Sequence, residues 1–153
     1  MSTAFNVVIQ QQDFDVSVEL ARLARQSLAV GALTNFVGLV RDSNDNTEVA
    51  TLELEHYPGM TERSIMQIIT QATERWQLLG ATVIHRIGRL VPGDQIVFVA
   101  VSSMHRAEAF AACEFIMDYL KTQAPFWKKE LTPQGERWVD ARCSDKAAAA
   151  RWS

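Results

Sequence analysis

Residues 96–101 read IVFVAV, and this run, which is apolar on both faces, decides the fold. A strand that faces water on one side alternates apolar and polar residues, so an uninterrupted apolar run indicates a strand that is covered on both sides. The sequence therefore predicts a central strand in a sheet that has other elements packed on both faces.

The stretches on either side of this run are predicted as a second strand and a helix. Residues 81–87 have a strand pattern and reach the central strand through a turn at Pro92-Gly93-Asp94. Ser102 or Ser103 is expected to cap a helix that continues to about Thr122. The apolar positions of that helix are expected to face the core, and they are Phe110, Cys113, Met117 and Leu120.

Two hairpins are predicted elsewhere in the chain. Residues 32–41 and 49–56 have strand patterns and flank a loop that is rich in turn-forming residues, and residues 126–131 and 136–141 flank a second turn. Frequent hairpins among helices indicate an α+β fold rather than a doubly wound α/β fold.

Helical patterns complete the chain, which contains no internal repeat and no linker. The helix that Thr61 caps keeps its apolar residues at helical spacing and is expected to stop at Gly80. The outer elements are a first strand at residues 5–9 and helices at residues 16–28 and 144–152. At 153 residues the chain is expected to form a single domain, residues 1–153, with three main helices.

The charge is small overall and unevenly distributed. Lys and Arg number 15 against 18 Asp and Glu, and the resulting net charge of −3 argues against a broad nucleic-acid or anionic-membrane binder. Residues 1–80 carry a net charge of −5, whereas residues 81–153 carry +2. Positive charge for an anion site is therefore concentrated in the second half of the chain.

Cysteine and histidine counts exclude several classes of site. Two cysteines, Cys113 and Cys143, are too few for a disulfide framework or a cysteine-based zinc site, and the three histidines do not lie at metal-ligand spacing. We therefore expect no metal and no cofactor. Without a leader pattern or an 18-residue apolar run, the sequence favours a cytoplasmic protein.

A set of cations lies in segments that are otherwise apolar. Lys121 would stabilise the C-terminus of its helix, and that role explains it as well as a site does. Arg106, in contrast, is electrostatically misplaced in the first turn of a helix, where an anionic ligand would supply its partner. The full set of candidates is Arg41, His105, Arg106, Lys121, Lys128, Lys129 and Arg142.

Lys128 and Lys129 are expected on opposite faces of one strand, because side chains alternate along a strand. Lys128 shares its face with Phe126 and Glu130, so one lysine should point into a site and the other into solvent. A solvated hairpin face is an equally good explanation of both lysines.

Other side chains that could take part in catalysis or ligand binding are better explained by structural roles. His85 has the pattern of a hydrogen-bonded core histidine rather than a catalyst, and Cys113 that of a small core residue. Trp127 and Trp138 are expected to pack across their hairpin rather than stack on a planar ligand.

Several long motifs in the sequence are specific enough to indicate a protein family. Residues 54–62 read LEHYPGMTE, residues 83–88 read VIHRIG, residues 115–122 read FIMDYLKT and residues 124–130 read APFWKKE. Together with Arg137-Trp138 they resemble the large, catalytic subunit of molybdopterin synthase, and the resemblance covers residues 36–152.

This resemblance implies an α/β-hammerhead fold and a homodimer that binds two copies of a small ubiquitin-like subunit, giving a heterotetramer. The C-terminal Gly-Gly thiocarboxylate of that subunit is the sulfur donor. Two sulfur transfers convert cyclic pyranopterin monophosphate into the dithiolene of molybdopterin, a step of molybdenum cofactor biosynthesis. The chain is therefore expected to be a sulfurtransferase.

Site residues follow from the same resemblance, position by position. Lys121 and Lys128 resemble the catalytic lysines. Some relatives carry a basic residue where this chain has Leu39, so contact at that position is expected through the backbone. The residues that resemble the substrate pocket or its wall are Leu39, Val40, Arg41, His105, Arg106, Lys129, Glu130 and Arg142.

The residue types suit this chemistry. A phosphorylated pterin and a thiocarboxylate are both anions, and a lysine that is crowded by other cations loses proton affinity and can act as acid, base or nucleophile near neutral pH. Glu130 could hold Lys128 in position. A non-catalytic module that binds a ubiquitin-like tail or an anionic ligand is the alternative, in which the lysines only neutralise charge.

Helix length adds a geometric constraint. His105 and Lys121 lie 16 residues apart on one predicted helix, which corresponds to about 24 Å along its axis. Two side chains cannot reach one small group from opposite ends of such a helix. We therefore expect His105 and Arg106 of one subunit to complete the pocket that holds Lys121 and Lys128 of the other.

Overall fold

Ten strands and four helices make up the part of the chain that the computed structural model describes, which is residues 4–44, 46–139 and 143–153. In chain order they are β1 Phe5–Gln10, α1 Val16–Ala24, β2 Ala32–Leu39, β3 Ser43–Asn44, β4 Thr47–Glu48, β5 Thr51–His56, α2 Met60–Arg75, β6 Leu78–Arg86, β7 Gly88–Leu90, β8 Gln95–Ser103, α3 Arg106–Gln123, β9 Phe126–Thr132, β10 Gly135–Val139 and α4 Cys143–Ala150.

The first sheet has the order β1-β6-β8-β2, and β8 is covered on both faces. Val97, Val99 and Val101 face α2 and α3, whereas Phe98 and Ala100 face α1. All five side chains are buried. The prediction of a central strand that is covered on both sides is therefore confirmed, and the mixed architecture of helices and hairpins is that of an α+β fold.

The second sheet has the order β10-β9-β5-β7 and includes the predicted hairpin of β9 and β10. The other predicted hairpin is wrong. Residues 32–41 and 49–56 do not pair, because β2 joins β8 in the first sheet and β5 joins β7 and β9 in the second. The apolar side of β5 requires this arrangement, since Leu52 and Leu54 bury themselves with Val40 and Leu90 in a small core of their own.

The boundaries of the second helix also differ from expectation. Gly59 is the N-cap of α2, and the hydroxyl of Thr61 instead accepts from the Tyr57 amide at 2.9 Å and donates to the Pro125 carbonyl at 3.0 Å. The helix ends at Arg75, and Gly80 lies inside β6. A Cβ at Gly80 would stand 2.8 Å from the Ala4 carbonyl oxygen, so glycine serves close packing there rather than helix termination.

The third helix has His105 as its N-cap, not Ser102 or Ser103, and its buried face is rotated from the predicted one. Cys113, Met117 and Leu120 are buried as expected, but Phe110 is 64% exposed. Small residues explain the rotation. Ala109 lets α3 approach β2 so closely that the Thr34 hydroxyl donates to the Ala109 carbonyl at 2.7 Å, which leaves Phe110 outside.

The outer helices complete the layers around the first sheet. The first ends at Ala24 rather than at residue 28, and Leu28 is fully exposed. The last is held beside α3 by Trp152, whose indole Nε1 donates to Asp118 at 2.7 Å and whose ring contacts Trp76 and Phe115. No helix among the described residues is long and apolar enough to cross a bilayer.

Truncations on opposite sides of α2 test which face of this helix carries the fold. Ile69→Ala should lower the free energy of unfolding by about 2–5 kcal/mol, because Ile69 is 1% exposed and its loss leaves a cavity against the sheet. Met66→Ala is the matched control, since Met66 is 37% exposed, and it should cost about 1 kcal/mol or less. Denaturant unfolding would measure both, and equal losses would contradict the assigned face.

Candidate functional site

A cavity of about 610 Å³ opens between the two sheets at the C-terminal end of α3. This volume falls within the range that small-molecule sites occupy. Its walls come from the end of β2 and the segment after it, from β6 and β8, from the last turns of α3, from β9 and from Asp145 of α4.

Two lysines from different elements meet in this cavity, which we call the lysine cavity. Lys121 comes from the last turn of α3 and Lys128 from β9. Burial and then the positive charge of Lys121 lower the pKa of Lys128 to about 8, while Asp145 and Glu130 act weakly in the opposite direction. Near pH 8 about half of the Lys128 amines are therefore neutral, which gives this residue the capacity to exchange protons or to act as a nucleophile.

His85 forms part of the cavity wall beside these lysines. Its Nδ1 donates to the Arg86 carbonyl at 2.8 Å, and its ring stacks on Phe126 with the centroids 3.8 Å apart. Burial lowers the pKa of His85 to about 3, so the imidazole is neutral at physiological pH. The predicted hydrogen-bonded core histidine is confirmed, but sequence reasoning did not place it in the cavity wall.

Glu130 is 4% exposed in the same wall and is held by a network of hydrogen bonds. Arg137 Nε donates to one carboxylate oxygen at 2.9 Å, and Asn44 Nδ2 donates to the other at 3.0 Å. Arg137 also donates to the Asn44 carbonyl at 3.0 Å, so β3 is fixed to the β9–β10 hairpin at the rim. Both Glu130 oxygens thus bind these partners rather than Lys128. Arg137 was identifiable, since the predicted hairpin places it opposite Glu130.

The segment that follows β2 brings three more predicted residues to the cavity. Leu39 and Arg41 line it with exposed side chains. Val40 lines it too, but its side chain is buried, and its backbone is fixed by hydrogen bonds with Asp94 O at 2.9 Å and Gly93 N at 2.8 Å. Val40 therefore anchors the segment that presents Arg41.

Lys129 is not brought to the cavity. It lies on the opposite face of β9 from Lys128, as strand alternation predicts, and its Nζ is 3.6 Å from carboxylate oxygens of both Glu53 and Glu136. The same Nζ lies 5.5 Å from the centroid of the Trp138 ring. Trp138 is paired with Lys129 in the ladder and not with Trp127, so the predicted packing of the two tryptophans is replaced by a contact between cation and ring.

His105 and Arg106 lie at the other end of α3, away from the lysines. With Gly31, Met104 and Phe110 they line a second cavity of about 470 Å³. His105 and Lys121 lie 16 residues apart in the chain, which is about 24 Å along α3. Within one chain, the two groups of predicted site residues therefore stay apart, as helix length predicts.

The remaining chemical candidates are limited in what they can do. Burial raises the pKa of the Cys113 thiol to about 11, which keeps it protonated and unreactive. Across the described parts of the chain, no three His, Cys, Asp or Glu side chains group as metal ligands do. Arg142, predicted as part of the substrate pocket, lies outside the described residues.

Comparisons with known proteins give a consistent assignment. The sequence model of the MoaE protein family matches residues 9–123. The chain is similar to the molybdopterin synthase catalytic subunits of Ralstonia nicotianae (59% identity over 144 residues, 94% of this chain and 82% of the relative) and Vibrio cholerae (60% over 146 residues, 95% and 97%). A solved molybdopterin biosynthesis MoaE protein from Burkholderia ambifaria has a TM-score of 0.83 at 55% identity and covers 96% of this chain and 97% of its own.

Removal of Lys121 tests the electrostatic coupling in the cavity. Lys121→Ala should raise the pKa of Lys128 from about 8 toward the ordinary lysine value, because it removes a like charge, while burial keeps the rise incomplete. The neutral fraction of Lys128 at pH 8 would fall accordingly. Carbon NMR of reductively methylated lysines would follow the titration.

Lys129→Ala is the matched control for this measurement. It removes one lysine from the opposite face of β9, so the pKa of Lys128 should not change. A Lys128 titration that responds equally to both substitutions would contradict the specific coupling with Lys121.

Proposed function

This chain belongs to the MoaE family of molybdopterin synthase catalytic subunits, and from that premise we propose that it transfers sulfur from the C-terminal thiocarboxylate of a small ubiquitin-like subunit to cyclic pyranopterin monophosphate, forming the molybdopterin dithiolene. The observation that supports this reaction most directly is the pair of lysines in one cavity, one of them with a lowered pKa. We place the reaction in the cytoplasm, as the composition predicts.

The two lysines have different roles in this proposal. Lys121 and Arg41 hold the negative charges of the phosphate and the thiocarboxylate. In each transfer the thiocarboxylate sulfur forms a bond to a side-chain carbon of the pterin, and that carbon loses an oxygen substituent. Water then cleaves the resulting thioester to the carboxylate of the small subunit and a thiol on the pterin, so each transfer moves protons. Lys128 carries them, since its lowered pKa lets it release and take up a proton near neutral pH.

A homodimer forms the complete site in this proposal. Strand β2 is an edge of the first sheet, and its two ends lie at different cavities. Gly31, just before β2, lines the second cavity, whereas residues 36–39 near its end line the lysine cavity. Exposed apolar side chains follow this strand at Leu33, Phe36 and Leu39. A two-fold axis beside β2 would bury them and set the start of one β2 beside the end of the other.

This arrangement brings the second cavity of one subunit to the lysine cavity of its partner. His105 and Arg106 then add positive charge to a pocket that a single chain leaves without them. Met104 and Phe110 are 50% and 64% exposed in the single chain, and their exposed apolar surface supports the same contact, which would bury it. Two equivalent sites per dimer result, each with residues from both subunits.

Single substitutions in the presence of the thiocarboxylated small subunit and the pterin test the catalytic roles. Lys121→Ala and Lys128→Ala should each lower turnover to dithiolene product by about 10²–10⁴-fold, with little change in melting temperature. Lys129→Ala should keep turnover within about twofold, because that lysine lies outside the cavity and a surface change has small effects. Wild-type protein that binds the tail and the pterin without forming product would instead support the non-catalytic module.

Mixed dimers test the shared site. Arg106→Ala and Lys128→Ala chains should each be inactive alone, yet after subunit exchange one site of every mixed dimer carries no substitution. A mixture should therefore recover about a quarter of wild-type activity.

Lys121→Ala mixed with Lys128→Ala is the matched control. Both substitutions affect the same half of the site, so every site in the mixture lacks one lysine and no activity should return. Recovery in the control, or none with Arg106→Ala, would show that the site does not join the two subunits as proposed.

A further inference from the structure

One polar atom of the cavity wall is left without a role by the proposed reaction. His85 is 5% exposed, and its Nδ1 proton is committed to the Arg86 carbonyl. A backbone carbonyl only accepts hydrogen bonds, so Nδ1 carries the proton and Nε2 of the neutral ring carries a lone pair.

Nε2 is accessible from the cavity. Among the described residues, every fully buried side-chain nitrogen and oxygen has a hydrogen-bond partner, and the hydrogen bonds of His85 do not include Nε2. This atom therefore contacts solvent, although the ring around it is almost completely buried. Since His85 lines the lysine cavity, the solvent that it contacts is that of the cavity.

The neighbours of His85 fix the direction of the Nε2 lone pair and the charges around it. Stacking on Phe126 and the bond to Arg86 hold the ring plane, so the direction of the lone pair is set before any ligand binds. The charged groups that line the cavity around it are Arg41, Lys121, Lys128, Glu130 and Asp145. The lysines and the arginine are donors, and Glu130 accepts from Arg137 and Asn44.

We propose that His85 is a substrate-binding residue whose Nε2 accepts a hydrogen bond from an N–H group of the pterin. This inference rests on the proposed function, because it takes its ligand from there. A pterin carries N–H groups in the plane of its rings, which match an acceptor whose lone pair lies in a fixed ring plane. Phe126, in the same wall, supplies apolar contact beside it.

The contact provides selectivity that the cations cannot. Lysine and arginine side chains bind any anion of suitable size, so they do not separate the phosphorylated pterin from free phosphate or another phosphate ester. An acceptor that is left unpaired in a buried wall penalises a ligand that lacks the N–H group. His85 thus recognises the heterocycle, whereas the cations recognise its charge.

Two substitutions separate the two nitrogens of the ring. In His85→Asn the side-chain amide can still donate to the Arg86 carbonyl, but no atom reaches the position of Nε2. In His85→Gln the longer side chain returns a polar atom to that position. His56→Asn is the control for loss of a nearby histidine, since His56 is partly buried outside the cavity lining.

Calorimetric titration of the full chain with cyclic pyranopterin monophosphate, without the small subunit, gives the decisive affinities. His85→Asn should weaken binding about tenfold, His85→Gln should recover most of that loss, and His56→Asn should have no effect. Titration with the small subunit alone should give the wild-type affinity in all three variants, because its tail does not use Nε2.

Nitrogen NMR of wild-type His85 provides a readout that does not depend on a folded variant. The Nε2 resonance should be that of an unprotonated ring nitrogen and should shift when the pterin is added. Any one of three results would overturn the inference. These are an unshifted Nε2 resonance, wild-type pterin affinity in folded His85→Asn, and a loss of affinity only for the small subunit. Failure of the wild-type chain to bind the pterin at all would instead reject the proposed function, and this inference with it.

Discussion

Strand β8 has to be covered on both faces, and the positions of the other elements follow from that requirement. Burial of apolar surface is the main favourable contribution to folding, and β8 supplies it to two cores at once. Coverage on one side by α2 and α3 places α3 lengthwise along the sheet. The two ends of α3 then define the two cavities, one with Lys121 and one with Arg106.

Burial of Lys128 is electrostatically unfavourable, and the surrounding structure offsets only part of that cost. Removing an amine from water and placing it near Lys121 both oppose its charge, whereas Glu130 and Asp145 favour it. Glu130 is in turn kept in place by Arg137 and Asn44. Lys128 therefore keeps a pKa of about 8 in this wall, whereas a fully compensated ion pair would keep the amine charged at that pH.

Local sequence patterns predicted the features that depend on neighbouring residues. Alternation along β9 separated Lys128 from Lys129, and helix length separated His105 from Lys121. The pairing of β2 with β8 could not be predicted in this way, because it depends on which of two cores each apolar face enters. Sequence adjacency favoured a local hairpin, whereas β5 packs its apolar side chains against Leu90 and pairs with β7 and β9.

Long-range contacts also explain what sequence reasoning missed within the site. The hydrogen bond of His85 to the Arg86 carbonyl is local, but the ring that stacks on His85 and holds its plane is that of Phe126 in β9, which is about forty residues away in the chain.

The alternation of Lys128 and Lys129 has a consequence for how this family can change in evolution. Substitutions within β9 alter one side chain at a time, whereas insertion or deletion of one residue before Lys128 would exchange the cavity face for the outer face along the rest of the strand. After a deletion, Lys129 would take the place of Lys128, and Glu130 would turn to the outer face of the sheet. Length variation should therefore be confined to the turn at residues 133–134, where added residues leave the register of both strands intact.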